Sequence, residues 1–330
     1  MRIFVFILFF VPLLASAEGC ISGDCNEGHG VYTNDQGERY EGPWMNGQAE
    51  GIGTYTNLRG DKYIGEWTAG RMEGKGIYYY ANGDVYDGMF VNYTRSGQGV
   101  YNASNGDVYS GEYLNGLRHG TGKLTAFSGE TYYGKWRSGK KHGTGTIHYT
   151  SGNKYVGQFK DGEQNGRGSY FWKQGGSYVG AFKNGDFHGN ATRRYSNGDL
   201  YKGVFKNGLK NGFGVLSYAN GNEYKGYFKN NHKHGAGSFV WNDGGSYVGE
   251  FFNNTFHGSA VRKYPNGEQY IGQFKFGKRN GQGEYHSEDG VYTGLWRDNL
   301  KIGTGICITP KGEKIQCTWN NDVLVNYNRL

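Results

Sequence analysis

Residues 178–198 read Tyr-Val-Gly-Ala-Phe-Lys-Asn-Gly-Asp-Phe-His-Gly-Asn-Ala-Thr-Arg-Arg-Tyr-Ser-Asn-Gly, and most of the chain is a variation on this stretch. We number each repeat from its first tyrosine, at offset zero. That tyrosine recurs at Tyr40, Tyr63, Tyr86, Tyr109, Tyr132, Tyr155, Tyr178, Tyr201, Tyr224, Tyr247, Tyr270 and Tyr292. All intervals between them are equal except the last, which is one position shorter. Such a fixed period predicts a repeat array rather than an ordinary globular domain.

Glycines and rings occupy fixed places in each repeat. All twelve repeats have a glycine at offset two and an aromatic residue at offset four, such as Trp44, Phe159 and Trp296. In a β-strand these offsets lie on the same face as the tyrosine. The pattern therefore predicts two rings separated by a gap, which lets a ring of a neighbouring repeat come close.

Turn residues divide each repeat in two. Offset seven is glycine in eight repeats and asparagine in three, and Asn-Gly pairs such as Asn184-Gly185 are a strong hairpin signal. Glycine returns at offsets eleven and twenty of every repeat. At offset thirteen it occurs in ten repeats, and the other two have Ala191 and Ala260. Each repeat is therefore predicted to be a strand, a tight turn, a second strand and a second turn. Tyr93, at offset seven, predicts a different turn type in its repeat.

The string Tyr-x-Gly-x-(Trp/Phe)-x-x-Gly-x-x-x-Gly-x-Gly resembles the membrane occupation and recognition nexus (MORN) repeat. Twelve copies in phase, over residues 40–314, make the resemblance specific. It implies an all-β fold, an elongated single-layer twisted antiparallel sheet of stacked β-hairpins, used for protein or lipid contacts. Residues 18–39 are expected to form a degenerate N-terminal cap repeat. Residues 315–330 are expected to be a half-repeat and tail, in which Ile315-x-Cys317-x-Trp319 supplies a closing strand.

A longer period lies over the short one. Residues 168–177 match residues 237–246, and Phe187-His188-Gly189 matches Phe256-His257-Gly258, in both cases three repeats further along the chain. Because both matches have this same separation, we infer a three-repeat duplication, which also accounts for the two alanines at offset thirteen.

Residues 1–17 have the pattern of a secretory signal peptide. Arg2 is followed by an apolar run and by the small-x-small sequence Ala15-Ser16-Ala17 before Glu18. The alternative is a membrane anchor, but about twelve apolar residues are too few to cross a bilayer core. We therefore expect export through the secretory pathway to the extracellular space, or to the periplasm if the protein is bacterial.

The four cysteines lie in two pairs, one at each end of the array. Cys307 and Cys317 are symmetric about Gly312, so an antiparallel pairing about that turn is expected to set them opposite each other for a disulfide. Cys20 and Cys25 are expected to close a short segment in the same way. The alternatives are free thiols or a metal site.

No catalytic constellation is found. Gly-x-Gly is common, but neither the dinucleotide fingerprint nor a phosphate-binding loop nor Gly-x-Ser-x-Gly occurs. The chain is therefore not expected to be an enzyme, nor to hold a cofactor or a metal. Histidines recur at offset ten (His119, His142, His188, His234 and His257), but repeats stacked two strands apart are about 9.5 Å apart, which is long for a shared metal.

A basic row at offset five is the main candidate binding site. It consists of Arg137, Lys160, Lys183, Lys206, Lys229, Lys275 and Arg297. We expect a non-enzymatic scaffold whose row meets a protein partner or anionic membrane lipid. The alternative is that these side chains protect the sheet edge and keep the protein soluble. With a net charge of only +7 on 330 residues, nucleic acid is not an expected partner.

Rings supply a second hypothesis. Repeated tyrosines and tryptophans are able to line a groove that stacks on sugars, which makes a carbohydrate-binding module the alternative function; the simpler interpretation is that these rings form the core. Sequons occur at Asn92, Asn102, Asn190 and Asn253, so glycosylation is open to a eukaryotic host. The sequence does not define the oligomeric state.

Overall fold

The computed structural model describes residues 19–330, so the predicted signal peptide at residues 1–17 lies outside the described part. The chain divides into an N-terminal unit that ends at Glu163 and a C-terminal unit that begins at Gln164. Within residues 19–330 no helix has the length and apolar character needed to cross a membrane. All elements of this part of the chain are β-strands, as the repeat pattern predicted.

In the N-terminal unit the strands are β1 Cys20–Gly23, β2 His29–Thr33, β3 Arg39–Met45, β4 Gln48–Ala49, β5 Gly51–Thr56, β6 Lys62–Thr68, β7 Arg71–Tyr79, β8 Val85–Val91, β9 Thr94–Asn102, β10 Val108–Leu114, β11 Leu117–Thr125, β12 Thr131–Arg137, β13 Lys140–His148 and β14 Lys154–Lys160. The strands from residue 163 onward are β15 Glu163–Phe171, β16 Ser177–Lys183, β17 Asp186–Arg194, β18 Leu200–Lys206, β19 Leu209–Ser217, β20 Glu223–Lys229, β21 His232–Val240, β22 Ser246–Phe252, β23 Thr255–Lys263, β24 Gln269–Lys275, β25 Lys278–Ser287, β26 Gly290–Arg297, β27 Leu300–Ile308, β28 Lys314–Asn320 and β29 Val323–Arg329.

Strands that follow one another in sequence pair antiparallel within each unit, for example β12 with β13 and β16 with β17. The short β4 is the exception, because β4 and β5 both pair with β3. The repeat that begins at Tyr178 shows how each repeat is divided. A seven-residue strand (β16) is followed by the turn Asn184-Gly185, a nine-residue strand (β17) and a five-residue connection. Both turn residues have positive φ, 50° and 85°, which is the type I′ geometry that matches strand twist. The predicted order of strand and turn is confirmed.

Tyr93 adopts the same turn as the other repeats, so the prediction of a different turn type was wrong. Its φ is 64° and that of Asn92 is 47°. The side chain gives this strained residue specific contacts: its hydroxyl donates to the carbonyl oxygen of Gly70 at 2.5 Å, and its ring lies 6.4 Å from that of Trp67. Tertiary contacts thus hold a tyrosine where glycine or asparagine is usual.

The tyrosine at offset zero lies over the glycines of its own repeat. In the repeat of Tyr132 the glycines at offsets two and thirteen, Gly134 and Gly145, face each other across β12 and β13. A Cβ atom on Gly145 would lie 2.5 Å from Cε2 of Tyr132. The Tyr132 hydroxyl reaches past both glycines and donates to the carbonyl oxygen of Lys135 at 2.7 Å. The gap therefore accommodates the repeat's own ring, and the expectation that it serves a neighbour's ring was wrong.

Rings of successive repeats then pack edge to face. Tyr86 lies 5.2 Å from Phe90 of its own repeat and 5.2 Å from Tyr113 of the next, with interplanar angles of 86° and 81°. Such pairs contribute about 0.5–1.5 kcal/mol each beyond the area that they bury. All twelve tyrosines at offset zero are at most 3% exposed. These rings are the core of a sheet that has no second layer of secondary structure among the described residues.

Glycine at offset eleven serves a bulge. In β13, Gly143 has φ of 62°, and the pairing with β12 is shifted between Gly134 and Trp136. A left-handed residue that interrupts an antiparallel ladder is the geometry of a β-bulge. The shift is an even number of residues, so the odd offsets of the second strand, such as Lys141 and Ile147, share a face with the rings on both sides of the bulge.

Both predicted disulfides are present, Cys20–Cys25 and Cys307–Cys317, each with Cα atoms 5.9 Å apart. The predicted register of the second was wrong, because Cys307 pairs with Ile315 and Cys317 pairs with Gly305. The two cysteines are diagonal neighbours across β27 and β28.

Residues 314–329 form a complete hairpin, β28 and β29, with a turn at Asn321-Asp322, rather than the single closing strand that was expected.

Candidate functional site

The basic row at offset five lies at the ends of first strands and is exposed. In the C-terminal unit it comprises Lys183, Lys206, Lys229, Lys275 and Arg297, and Arg137 and Lys160 hold the same place in the N-terminal unit. Within residues 19–330 none of the seven forms an ion pair. These charges are therefore open to solvent and to a partner.

The row lies on the sheet face opposite the rings, because offsets one, three and five alternate with the tyrosine. We call this the outer face. In the C-terminal unit the outer face also exposes apolar side chains. Val179, Tyr227, Ile271 and Leu295, on strands that end in the row, and Val248, on β22, are each 40–57% exposed. Shallow depressions between them are lined by side chains such as Phe213, Tyr227 and Val248. The outer face thus combines exposed apolar side chains with a basic margin.

A second row of cations, which sequence reasoning missed, lies on the ring face. In the N-terminal unit the guanidinium of Arg118 is 4.6 Å from the centre of the Trp136 ring, and the ammonium of Lys141 is 5.1 Å from that of Tyr132. Within the C-terminal unit the row consists of six side chains, Arg193, Lys210, Lys233, Arg262, Arg279 and Lys301, each 3.4–5.8 Å from at least two rings. We call these six the ring-face cations.

The ring-face cations show a compensating exchange. In the repeats from Tyr178 onward most of them stand at offset nine, where Phe187 and Phe256 are the exceptions. In those two repeats the cation moves to offset fifteen, as Arg193 and Arg262, and the phenylalanine stacks flat on the tyrosine, with 3.9 Å between the ring centres of Tyr178 and Phe187. The cation and the ring have changed places, so each of these repeats retains one positive charge on the ring face.

Partial burial lowers the pKa of the ring-face lysines. Burial, and then the positive charge of Lys210, lower the pKa of Lys233 to about 8. Burial, and then the charge of Arg193, lower the pKa of Lys210. Successive cations of the row therefore repel one another in a partly desolvated setting. In contrast, the N-terminal unit places Glu130 3.7 Å from the ammonium of Lys141.

The remaining predicted residues are placed as follows. Side chains of the offset-ten histidines are half-buried, and the Nδ1 atoms of His142, His188, His234 and His257 are buried without a hydrogen-bond partner. Among the residues described, no group of three or more metal-ligating side chains comes together. Asn92, Asn102, Asn190 and Asn253 are all exposed.

The rings proposed for sugar stacking are not available. Those at offsets zero and four are at most 6% exposed in every repeat. A carbohydrate would have to use other rings, such as Tyr195, Tyr218 and Trp241 at offset seventeen, which are half-buried.

Stacked two-stranded repeats, with rings packed over glycines, define a solenoid-like repeat protein. The family model of the MORN repeat matches residues 40–61, 63–85, 86–108, 109–131, 132–154, 155–177, 178–200, 201–223, 224–246, 247–269, 270–291 and 292–314. The chain therefore belongs to the MORN repeat family, as its resemblance implied. A search of the curated proteins finds no match.

Two solved structures show a weak likeness to this chain. The SAS-4 (dCPAP) TCP domain of Drosophila melanogaster, in complex with a proline-rich motif of Ana2, matches at a TM-score of 0.28 and 16% identity, over 59% of this chain and 86% of that one. The TCP10 domain of Danio rerio CPAP with a STIL peptide matches at 0.22 and 10%, over 91% and 98% of the chains. TM-scores this low carry no argument about fold or function.

Proposed function

We propose that this chain is a non-enzymatic exported repeat scaffold that docks on an anionic membrane surface through its basic row. One observation carries the proposal: five exposed cations of the C-terminal unit, Lys183, Lys206, Lys229, Lys275 and Arg297, share one offset and have no carboxylate partner. Each lysine close to an anionic leaflet contributes about 1 kcal/mol of attraction.

Exposed apolar side chains on the same face support a membrane rather than a soluble polyanion. Val179, Tyr227 and Ile271 stand on strands that end in the row. A surface that places apolar side chains beside a basic margin matches the boundary between acyl chains and headgroups. A protein partner with an acidic surface is the alternative that the experiment distinguishes.

Export is supported by the two disulfides, because such bonds persist mainly in oxidising compartments. Each joins cysteines near one end of the described chain. The repeats themselves account for nearly all of residues 40–314, and this supports a binding scaffold more than a catalyst.

Vesicle co-sedimentation tests the docking proposal. The variant Lys183→Glu/Lys206→Glu/Lys229→Glu removes three attractive charges, roughly 3 kcal/mol, and should weaken binding to phosphatidylserine vesicles at least about 100-fold. The matched control Lys62→Glu/Lys75→Glu/Lys123→Glu makes the same charge change at exposed lysines outside the row and should retain most binding. Equal loss in both variants, or no binding by the wild-type protein to any anionic vesicle, would refute docking through the row.

A further inference from the structure

The ring-face cations of the C-terminal unit form a surface that no internal partner neutralises. Within this unit none of the six has a carboxylate within ion-pair distance. Nε of Arg193 and Nη1 of Arg262 are buried and lack a hydrogen-bond acceptor in the chain. Buried polar groups are usually paired, so these two cations lack the compensation that an ion pair or a full set of hydrogen bonds would give.

Aromatic rings alternate with these charges. Lys233 lies 5.4 Å from the ring centre of Tyr218, and Arg262 lies 3.4 Å from that of Trp241. Tyr218 and Trp241 belong to offset seventeen and keep part of their surface exposed. In the four repeats that begin at Tyr178, Tyr201, Tyr224 and Tyr247, a ligand on this face therefore meets one cation and one partly exposed ring per repeat. Charge complementarity requires the ligand to be anionic, and the rings favour rigid apolar groups between the anions.

The spacing of the repeats selects the ligand's conformation. Equivalent side chains of successive repeats, such as Lys210 and Lys233, are two strands apart, about 9.4–9.8 Å. A polyproline II helix has three residues per turn and rises about 3.1 Å per residue, so the same side recurs about every 9.3 Å. In a β-strand the same side recurs about every 6.7 Å, and in an α-helix about every 5.4 Å. Only the polyproline II conformation presents one side chain to each repeat.

We propose that the ring face of the C-terminal unit binds a polyproline II segment of a partner protein that carries an acidic residue at every third position. The acidic side chains pair with Lys210, Lys233 and Arg279, and the intervening prolines pack on rings such as Tyr218 and Trp241. Aromatic-lined grooves are a general means of docking this preformed helix. The repulsion between neighbouring cations is relieved when the carboxylates arrive.

Fluorescence anisotropy of labelled synthetic peptides tests the proposal on the full exported chain. The test peptide contains six copies of Pro-Pro-Glu. The first comparison peptide contains six copies of Pro-Pro-Gln. The second has the composition of the test peptide, but its six glutamates are contiguous. We expect the test peptide to bind at least about tenfold more tightly than either, because only it offers one carboxylate per repeat. Equal affinity for the contiguous peptide would overturn the spacing argument.

Matched variants on the two faces locate the site. Lys210→Gln/Lys233→Gln/Arg279→Gln should weaken peptide binding at least about tenfold, whereas Lys206→Gln/Lys229→Gln/Lys275→Gln, with the same charge change on the outer face, should change it less than about twofold. Lys210→Arg/Lys233→Arg retains the charges and should retain binding, which separates lost charge from lost packing. The opposite ranking of the two triple variants would overturn the assignment.

Heparin, a sulfated polysaccharide, is tested as the alternative anionic ligand of the ring face. If heparin binds and none of the peptides does, the ring face is a site for a sulfated polysaccharide and the proposal is wrong. Vesicle docking uses the outer face, whereas peptide binding uses the ring face. The peptide result therefore does not depend on whether the protein docks on vesicles. Lys206→Gln/Lys229→Gln/Lys275→Gln distinguishes the two functions, since it should impair vesicle binding and leave peptide binding intact.

Discussion

The contact between the Tyr132 ring and Gly145 predicts that an added methyl group destabilises one repeat. In Gly145→Ala the new Cβ would lie 2.5 Å from Cε2 and 2.6 Å from the hydroxyl oxygen of Tyr132, so the ring must move and its bond to Lys135 lengthens. Overpacking of this kind costs about 1–3 kcal/mol, against a gain of about 0.5–1 kcal/mol when alanine replaces glycine in a strand. We expect a net local loss of about 1–2 kcal/mol.

Two other repeats of the chain suggest how the stability lost in Gly145→Ala can be restored. Where alanine is native at offset thirteen, in Ala191 and Ala260, phenylalanine stands at offset nine and arginine at offset fifteen. Phe256 stacks on Tyr247 with 3.9 Å between ring centres and 15° between planes. The triple variant Lys141→Phe/Gly145→Ala/Ile147→Arg imports this complete arrangement, and it should recover at least half of the stability that Gly145→Ala loses.

Hydrogen exchange followed by mass spectrometry is the appropriate assay, because repeat arrays open locally and a single melting temperature averages over repeats. Gly145→Ala should lower protection in β12 and β13 about five- to thirtyfold and leave the repeat of Tyr224 unchanged. The reasoning is refuted if Gly145→Ala exchanges as slowly as the wild type, or if the triple variant is less protected than the single one.

Three further predictions follow from the core, the C-terminal disulfide and the N-terminal sequence. Burial raises the pKa of the core tyrosines, that of Tyr178 to about 12. Since the folded pKa exceeds the unfolded value of about 10, stability holds below pH 10 and falls above it, and the tyrosinate absorbance of these buried tyrosines should appear together with the loss of circular dichroism rather than before it. Cys307→Ala/Cys317→Ala should reduce hydrogen-exchange protection in β27–β29 by about 2–3 kcal/mol with no change in β16–β22, and a uniform loss would contradict a local staple. Sequencing of the protein secreted by a eukaryotic host should give a mature chain that begins at Glu18, and retention of Met1 would exclude cleavage.

The fold was predictable because each repeat obeys local rules. Asn184-Gly185 specifies the turn by the φ values that these residues tolerate, and twelve in-phase copies turn a weak signal into a specific one. Tyr93 was misjudged because its contacts with Gly70 and Trp67 come from the preceding repeat. Local propensity does not contain such tertiary contacts.

The ring-face cations were missed for a geometrical reason. Counting alternate residues from the tyrosine places the odd offset nine on the outer face, but the two-residue turn reverses this parity. Trp136 at offset four pairs with Lys141 at offset nine, and Tyr132 at offset zero pairs with Ile147 at offset fifteen. Cross-strand partners share a face, so the odd offsets of the second strand join the rings. The row of cations at offset nine was visible in the sequence. The side of the sheet on which this row lies could be assigned only from the register of the paired strands.

The division into a ring face and an outer face underlies both proposed binding functions, and Tyr132 and Tyr133 test it directly. These neighbours are 1% and 61% exposed. Nitration of the native protein with tetranitromethane, mapped by mass spectrometry, should modify Tyr133 and leave Tyr132 and the other tyrosines at offset zero unmodified. Nitration of Tyr132 at a rate comparable to that of Tyr133 would contradict the account.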